Sequence, residues 1–266
     1  MGVVVFDHPL SPYGQKVKIA LREKGVAFEA VLPQAIGSGT ALGDFAAASP
    51  RGEVPALVDE DGFRVFDSTV ILEYIEDRWP EPPLRPASPR ERARVRMLED
   101  AMDTHFEAIT WGLAELAFFG RAEGELAESM RAQAARQLAG WFRWLSAQLG
   151  ERRWFNGEAF GWGDLSVAPF LNGAAGFGHR PDGRLGEWLA RVNERPSVAE
   201  FAQAAAKAGL AGSAIGLEQV RAALDQGLFK REYRDHRLEW MVKSGGLEIV
   251  AEGLRKRNLR FVDPFA

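Results

Sequence analysis

The stretch Arg51–Trp79, RGEVPALVDEDGFRVFDSTVILEYIEDRW, constrains the fold more than any other part of the chain. Glu53-Val54-Pro55 opens the apolar run Ala56-Leu57-Val58, the breakers Asp59-Glu60-Asp61-Gly62 follow, and Phe63-Arg64-Val65-Phe66 answers it. Two short apolar runs separated by turn formers predict a β-hairpin. Proline at the first position of a strand removes no ladder hydrogen bond. A cis Val54-Pro55 bond would turn the amide and carbonyl of Val54 outward, where an extended ligand can pair with them. At Asp67-Ser68 the strand passes into a helix whose apolar positions Val70, Ile71, Tyr74, Ile75 and Trp79 recur at helical spacing. Both residue types cap helices, and a helix N-terminus also attracts a carboxylate through its free amides and its dipole. The residues alone leave Asp67 and Ser68 two roles, cap or ligand anchor.

Upstream, Val3–Phe6 reads as a buried strand, and Asp7-His8-Pro9-Leu10-Ser11-Pro12-Tyr13-Gly14 is a loop rich in breakers. Val17, Ile19, Ala20 and Leu21 mark a helix that stops at Gly25, and Val26–Leu32 reads as a second strand. Strand, helix, strand in so short a span implies a parallel pair with a right-handed crossover. A short helix is expected around Leu42–Ala47. With the hairpin and its helix this completes a βαβ-α-ββ-α unit of about eighty residues, the thioredoxin-like arrangement. Ser11-Pro12 is a natural N-cap and N1 pair, and a hydroxyl at that helix end is also placed to donate to a thiolate.

Glu81–Pro89 holds four prolines in nine residues and separates two domains. Beyond it the chain is helical. Val95, Leu98, Met102, Phe106, Ile109 and Leu113 step by three or four along one long helix from Arg90 to Phe119, and Glu125–Leu149 is its antiparallel neighbour. The expected organisation is an α/β domain at 1–80, a linker at 81–89, an all-helical domain at 90–212 and a helical extension at 213–266. The extension is expected to form two helices broken at Gly245-Gly246 and docked through Leu228, Leu238, Trp240, Met241, Leu247, Ile249, Val250 and Leu254. From Gly227 to Arg260 it carries nine Lys or Arg against five Asp or Glu. These cations are interleaved with acids, and the whole chain has a net charge of −4, so nucleic acid is not an expected partner. The absence of cysteine excludes disulfides, thiolate metal sites and a cysteine nucleophile, and no metal is implied. No apolar run suits a signal peptide or a membrane span, which predicts a cytoplasmic protein with no membrane partner.

The order of Val-Pro, hairpin, acidic-Ser pair and helix resembles the glutathione site of soluble glutathione S-transferases, and SPYGQKVKIAL resembles the first-helix motif of their Ser-type, theta- or zeta-like members. The resemblance covers roughly residues 3–210. It implies a thioredoxin-like domain followed by an all-α domain, a homodimer, and glutathione as co-substrate. It further implies that Ser11 activates the thiol, that Val54-Pro55 holds the cysteinyl part, and that Asp67-Ser68 holds the γ-glutamyl end. Tyr13 is the alternative activating group, because other classes use a tyrosine. Glu53 stands where the family has Gln or Lys, which sets a carboxylate beside an anionic ligand unless Arg51 or Lys16 offsets it. The segment Asn156–Ser166 resembles the start of the family's buried helix, with Gly161 in place of a Ser or Thr cap and Asp164 three residues on, a structural position. Tyr13, His105, Trp111, Phe118 and Phe119, with Phe177, are candidates to line a pocket for an apolar electrophile. The implied activity is attack of the glutathione thiolate on that electrophile, including ether or halide cleavage. The rival is a binding or scaffold protein that kept the fold, favoured if Glu53 or a tail residue fills the groove.

Overall fold

The computed structural model describes residues 2–34, 36, 43–211 and 215–261. Its N-terminal part runs β1 (Val3–Phe6), α1 (Pro12–Glu23), β2 (Phe28–Val31), α2 (Gly43–Ala48), β3 (Ala56–Val58), β4 (Arg64–Phe66) and α3 (Ser68–Arg78). The sheet order is β2-β1-β3-β4, with β1 parallel to β2 and both remaining pairs antiparallel. The parallel pair and the hairpin both match expectation. Leu42, at the start of the expected short helix, lies outside the described residues; the helix itself covers Gly43–Ala48.

α1 ends where Gly25 takes φ +69° and Val26 donates back to the Leu21 carbonyl (2.9 Å), a left-handed stop that glycine adopts without strain. Near its start, a Cβ on Gly14 would lie 1.5 Å from Asp7 Oδ1. Glycine here lets the buried Asp7, paired with Lys18 (2.5 Å), sit directly against the helix and fix the preceding loop.

The helical part comprises α4 (Pro89–Ala101), a π-helical turn (Met102–Phe106), α5 (Glu107–Ala117), α6 (Gly124–Leu149), α7 (Trp162–Gly176), α8 (Gly183–Asn193) and α9 (Pro196–Ala211). The single helix expected over 90–119 is therefore interrupted. Apolar steps of four between Leu98, Met102 and Phe106 suit a wider turn as well as an α-turn, so the spacing carried no sign of it. The turn sets Asp103 against α1, where its carbonyl accepts from the Tyr13 hydroxyl (2.6 Å) and its carboxyl meets Lys16 Nζ (2.6 Å). α7 packs against α1, α4, α8 and α9, and its inward residues Leu165, Val167, Ala168, Phe170 and Leu171 are buried.

The extension forms α10 (Ile215–Asp225), β5 (Arg231–Glu232), α11 (Asp235–Lys243), α12 (Leu247–Arg255) and β6 (Leu259–Arg260), with β5 and β6 paired in parallel. The break falls at Gly245-Gly246 as expected. Of the eight docking residues, Trp240, Met241, Ile249 and Val250 are buried and Leu238 packs against the core, whereas Leu228, Leu247 and Leu254 are exposed. The reason is electrostatic as much as apolar. α5 carries two buried acids, Glu107 and Glu115; the extension supplies their close partners, and Arg121 stands 3.8 Å from Glu115. Arg237 Nη2 lies 2.6 Å from Glu107 and His236 Nε2 3.2 Å from it; Arg231 Nε lies 2.5 Å from Glu115, which also accepts from the Tyr233 hydroxyl (3.3 Å). Burial opposes ionisation of Glu107, but Arg237 and His236 outweigh it and hold its carboxyl down at about 2. The extension's cations at these positions answer buried carboxylates.

Trp240 lies flat over α5, and a Cβ on Gly112 would sit 2.0 Å from its ring. Alanine is the better helix former, so any destabilisation in Gly112→Ala reports this contact. The expected result is a loss of about 1–3 kcal/mol from overpacking together with faster proteolysis within the extension. A melting curve at or above wild type, with unchanged proteolysis, would refute the packing argument.

Candidate functional site

Strand register gathers the site. Phe6 pairs with Ala56 and Ala56 with Phe66, so the loop after β1, the Val54-Pro55 segment before β3 and the Asp67-Ser68 segment after β4 all lie at one end of the sheet. Ser11, Val54 and Asp67 come from three separate stretches, and the alternation of antiparallel strands brings them together. The Val54-Pro55 bond is cis.

Ser11 is the N-cap of α1, its Oγ accepting from the Gly14 amide (3.2 Å). That bond uses a lone pair and leaves the hydroxyl hydrogen free to donate. Tyr13, the alternative activating group, has spent its hydrogen on the Asp103 carbonyl, and burial pushes its hydroxyl well above the usual phenol range. His8 accepts from the Leu10 amide (3.2 Å), and burial followed by Arg231 lowers its pKa, so it serves the loop.

Asp67 takes φ +75°, a conformation that non-glycine residues rarely adopt and Asp tolerates better than most. Its carboxyl caps α3 through Thr69 N (3.1 Å) and Val70 N (3.5 Å), and Ser68 is the first helical residue, buried beside it. The cap uses only one carboxyl oxygen; the other meets Arg51 Nη2 at 3.0 Å. Burial raises the Asp67 carboxyl, but Arg51 and the two amides outweigh it and leave the pKa below the usual carboxylate range.

Arg51 also answers the Glu53 problem. Its Nε lies 2.9 Å from Glu53 Oε2, and Arg234 of the extension stands 3.8 Å from Oε1. Burial, followed by the neighbouring Glu232, pushes the Glu53 carboxyl up to about 7. Lys16 cannot contribute: it is fully buried between Glu99 and Asp103, both at 2.6 Å, and Glu99 further accepts from Thr69 (2.9 Å) and Trp162 (2.6 Å). This buried network ties α1 and α3 to α4 and α7, directly behind the site. Burial pushes the Asp103 carboxyl up to about 7 against the pull of Lys16. Nothing in the spacing of Lys16, Glu99 or Asp103 revealed it.

The aromatic candidates do not line one open pocket. Trp111 is covered edge-on by Tyr233 (4.8 Å), and Phe119 stacks on Phe229 (6.0 Å) beneath Arg231. Phe118 packs on Phe177 (5.8 Å), and Tyr13 sits edge-on to Phe170 (5.8 Å). His105 stacks on Trp141 in a different cleft of about 650 Å³ between α5, α6 and α11. The expectation of a shared apolar pocket is corrected: the extension occupies the space in front of Trp111 and Phe119. Asp164 meets its expected structural role, accepting from Phe155 N (2.8 Å), Asn156 N (3.2 Å), Gly161 N (3.1 Å) and Trp188 Nε1 (2.9 Å). A Cβ on Gly161 would lie 2.4 Å from the Leu84 carbonyl oxygen, so a Ser or Thr cap has no room.

Residues 10–78 match a family model described as glutathione S-transferase, N-terminal domain. Glutathione S-transferase U28 of Arabidopsis thaliana is 30% identical over 64% of this chain and 71% of its own length. A stringent starvation protein A homolog of Histophilus somni is 32% identical over 64% of this chain and 73% of its own. Among solved structures, rice GST1 in complex with glutathione superposes with a TM-score of 0.64 at 26% identity, covering 79% of this chain and 96% of that one. Among the described residues no helix is long and apolar enough to cross a membrane.

Proposed function

The chain belongs to the glutathione S-transferase family, and from that premise we propose that it binds glutathione at Ser11, Val54, Asp67 and Ser68 and uses the thiolate to attack a small electrophile. The observation that carries this reading is the register that puts all four residues at one end of the sheet. The Val54 backbone before β3 pairs with the cysteinyl backbone, the α3 N-terminus receives the γ-glutamyl carboxylate, and the Ser11 hydroxyl donates to the sulfur. Orientation of both substrates and a lowered thiol pKa are the protein's contribution. The same reading includes a cytoplasmic homodimer, for which the exposed Phe63, Phe66, Val70 and Met97 offer apolar surface on the hairpin, α3 and α4.

A second reading, a binding protein without catalysis, is favoured by one feature: Arg51 bridges Glu53 and Asp67, so a γ-glutamyl group must compete with it for Asp67. Calorimetric titration of reduced glutathione separates the two. The transferase reading expects one site per chain with micromolar to low-millimolar affinity, weakened about three- to tenfold in Ser68→Ala, the worth of one hydrogen bond. No detectable binding to the wild type would leave only the second reading.

A further inference from the structure

The loop Ser49–Val54 presents Val54 to the groove and lies outside any strand or helix. It contains Gly52 at φ +62°, which permits the turn and leaves the free loop many conformations. Three sets of contacts hold it. From below, the buried Ser49 hydroxyl donates to the Glu53 carbonyl (2.8 Å) and accepts from the Glu53 amide (3.1 Å), while the Gly52 amide donates to the Ser49 carbonyl (2.9 Å). Toward α3, the Arg51 side chain links Glu53 to Asp67. The third contact comes from the far end of the chain: Arg260 on β6 donates to the carbonyls of Arg51 (3.2 Å) and Gly52 (3.5 Å). Arg260 is itself held by an ion pair with Glu232 on β5, and Glu232 in turn is one of the neighbours that raise the pKa of Glu53.

We propose that Arg260 and Glu232 are positioning residues of the glutathione site: the extension completes the loop that presents Val54, and the tripeptide binds only when the β5–β6 ribbon is seated. This rests on the glutathione reading given above. Two physical arguments carry it. First, Arg260 fixes two successive carbonyls immediately before Glu53 and Val54, so its loss frees the backbone that must pair with the ligand. Second, the extension makes Glu53 tolerable beside an anionic tripeptide, because Glu232 helps to raise its pKa and Arg234 stands 3.8 Å from its Oε1. The groups facing this carboxyl pair are Arg51 from the loop, Arg234 and Arg237 from the start of α11, and Arg260 from β6, with Asp67 reached through Arg51. The Glu53 carboxyl, pushed up to about 7 by burial and then by Glu232, is in the range where much of it stays uncharged at neutral pH.

The probe is S-methylglutathione, which has no thiol to ionise, titrated by calorimetry into the full-length wild type, Arg260→Ala and Arg260→Lys. Hydrogen exchange of loop 49–54 is followed in parallel without ligand. The expected result is about tenfold weaker binding in Arg260→Ala, as for loss of a group that orients a ligand-binding segment. Arg260→Lys should recover part of it, the melting temperature should change little, and the loop amides should exchange faster. Wild-type affinity should also decline as pH rises through about 7, and Glu232→Gln, which removes the neighbouring negative charge that raises Glu53, should flatten that decline. Unchanged or tighter binding in Arg260→Ala overturns the proposal, tighter binding meaning that the ribbon obstructs the groove. If the wild type binds no probe, the glutathione reading fails, and loop exchange still decides the clamp, which falls if Arg260→Ala exchanges like wild type.

Discussion

Asp164→Ala is expected to lower the melting temperature by roughly 10 °C, corresponding to about 3–5 kcal/mol in a chain of this size. One carboxyl accepts from three backbone amides and from Trp188 Nε1, and it is fully buried. Alanine leaves all four donors without a partner, at about 1–3 kcal/mol each before relaxation and non-additivity reduce the sum. Asp164→Asn should cost less, since its remaining carbonyl still satisfies part of the set. The pH dependence has a definite sign. Burial raises this carboxyl to about 6 despite the four donors. A folded-state pKa above the unfolded one stabilises most at low pH, and that contribution is lost as pH rises through 6. The gap between wild type and Asp164→Ala should therefore narrow between about pH 4 and pH 7. A gap that widens over this range in thermal melts would contradict the assignment of burial as the dominant cause.

Ser11→Ala is expected to shift the pKa of enzyme-bound glutathione thiol upward by about two units, equivalent to roughly 2.7 kcal/mol, and to cut kcat/KM about a hundredfold near neutral pH. The deficit should shrink as pH rises and the thiol ionises unaided. The same substitution removes the cap on Gly14 N, at about 1 kcal/mol of stability, so melting and rate must be measured together. Ser11→Thr keeps a hydroxyl at the cap and should keep both. A pH–rate profile that does not move in Ser11→Ala would remove Ser11 from the reaction, and Tyr13 could not replace it while its hydroxyl serves the Asp103 carbonyl.

What could be read from the sequence was local. Val3–Phe6, the hairpin and the helix after Asp67 follow from short-range periodicity and turn residues, and the Ser11 cap follows from Ser-Pro. The assembly of Ser11, Val54 and Asp67 was legible only through a resemblance, because the register that joins them is a property of strand pairing and not of any one stretch. Charge pairing across long separations left no trace. Lys16 stands on α1 among Val17, Ile19 and Ala20 like a solvated lysine, yet its partners lie more than eighty residues away in α4 and the π turn. Glu107 and Glu115 look like solvent-facing acids on an amphipathic helix, and Arg231 and Arg237 like part of a merely basic tail. Aromatic spacing misled for a related reason: nothing in the positions of Trp111 and Phe119 revealed that Tyr233 and Arg231 would cover them.

The pairing of Glu107 and Glu115 with Arg237 and Arg231 has a consequence for how the molecule comes into being. Synthesis runs from the N-terminus at about 5–20 residues per second, so α5 is complete several seconds before its counter-charges leave the ribosome. Over that interval Glu107 lacks its cations and Glu115 has only Arg121, 3.8 Å away in the finished fold, so closing the apolar faces around them buries poorly compensated charge. The packing of α5 against the extension therefore waits until Arg231 and Arg237 have been made.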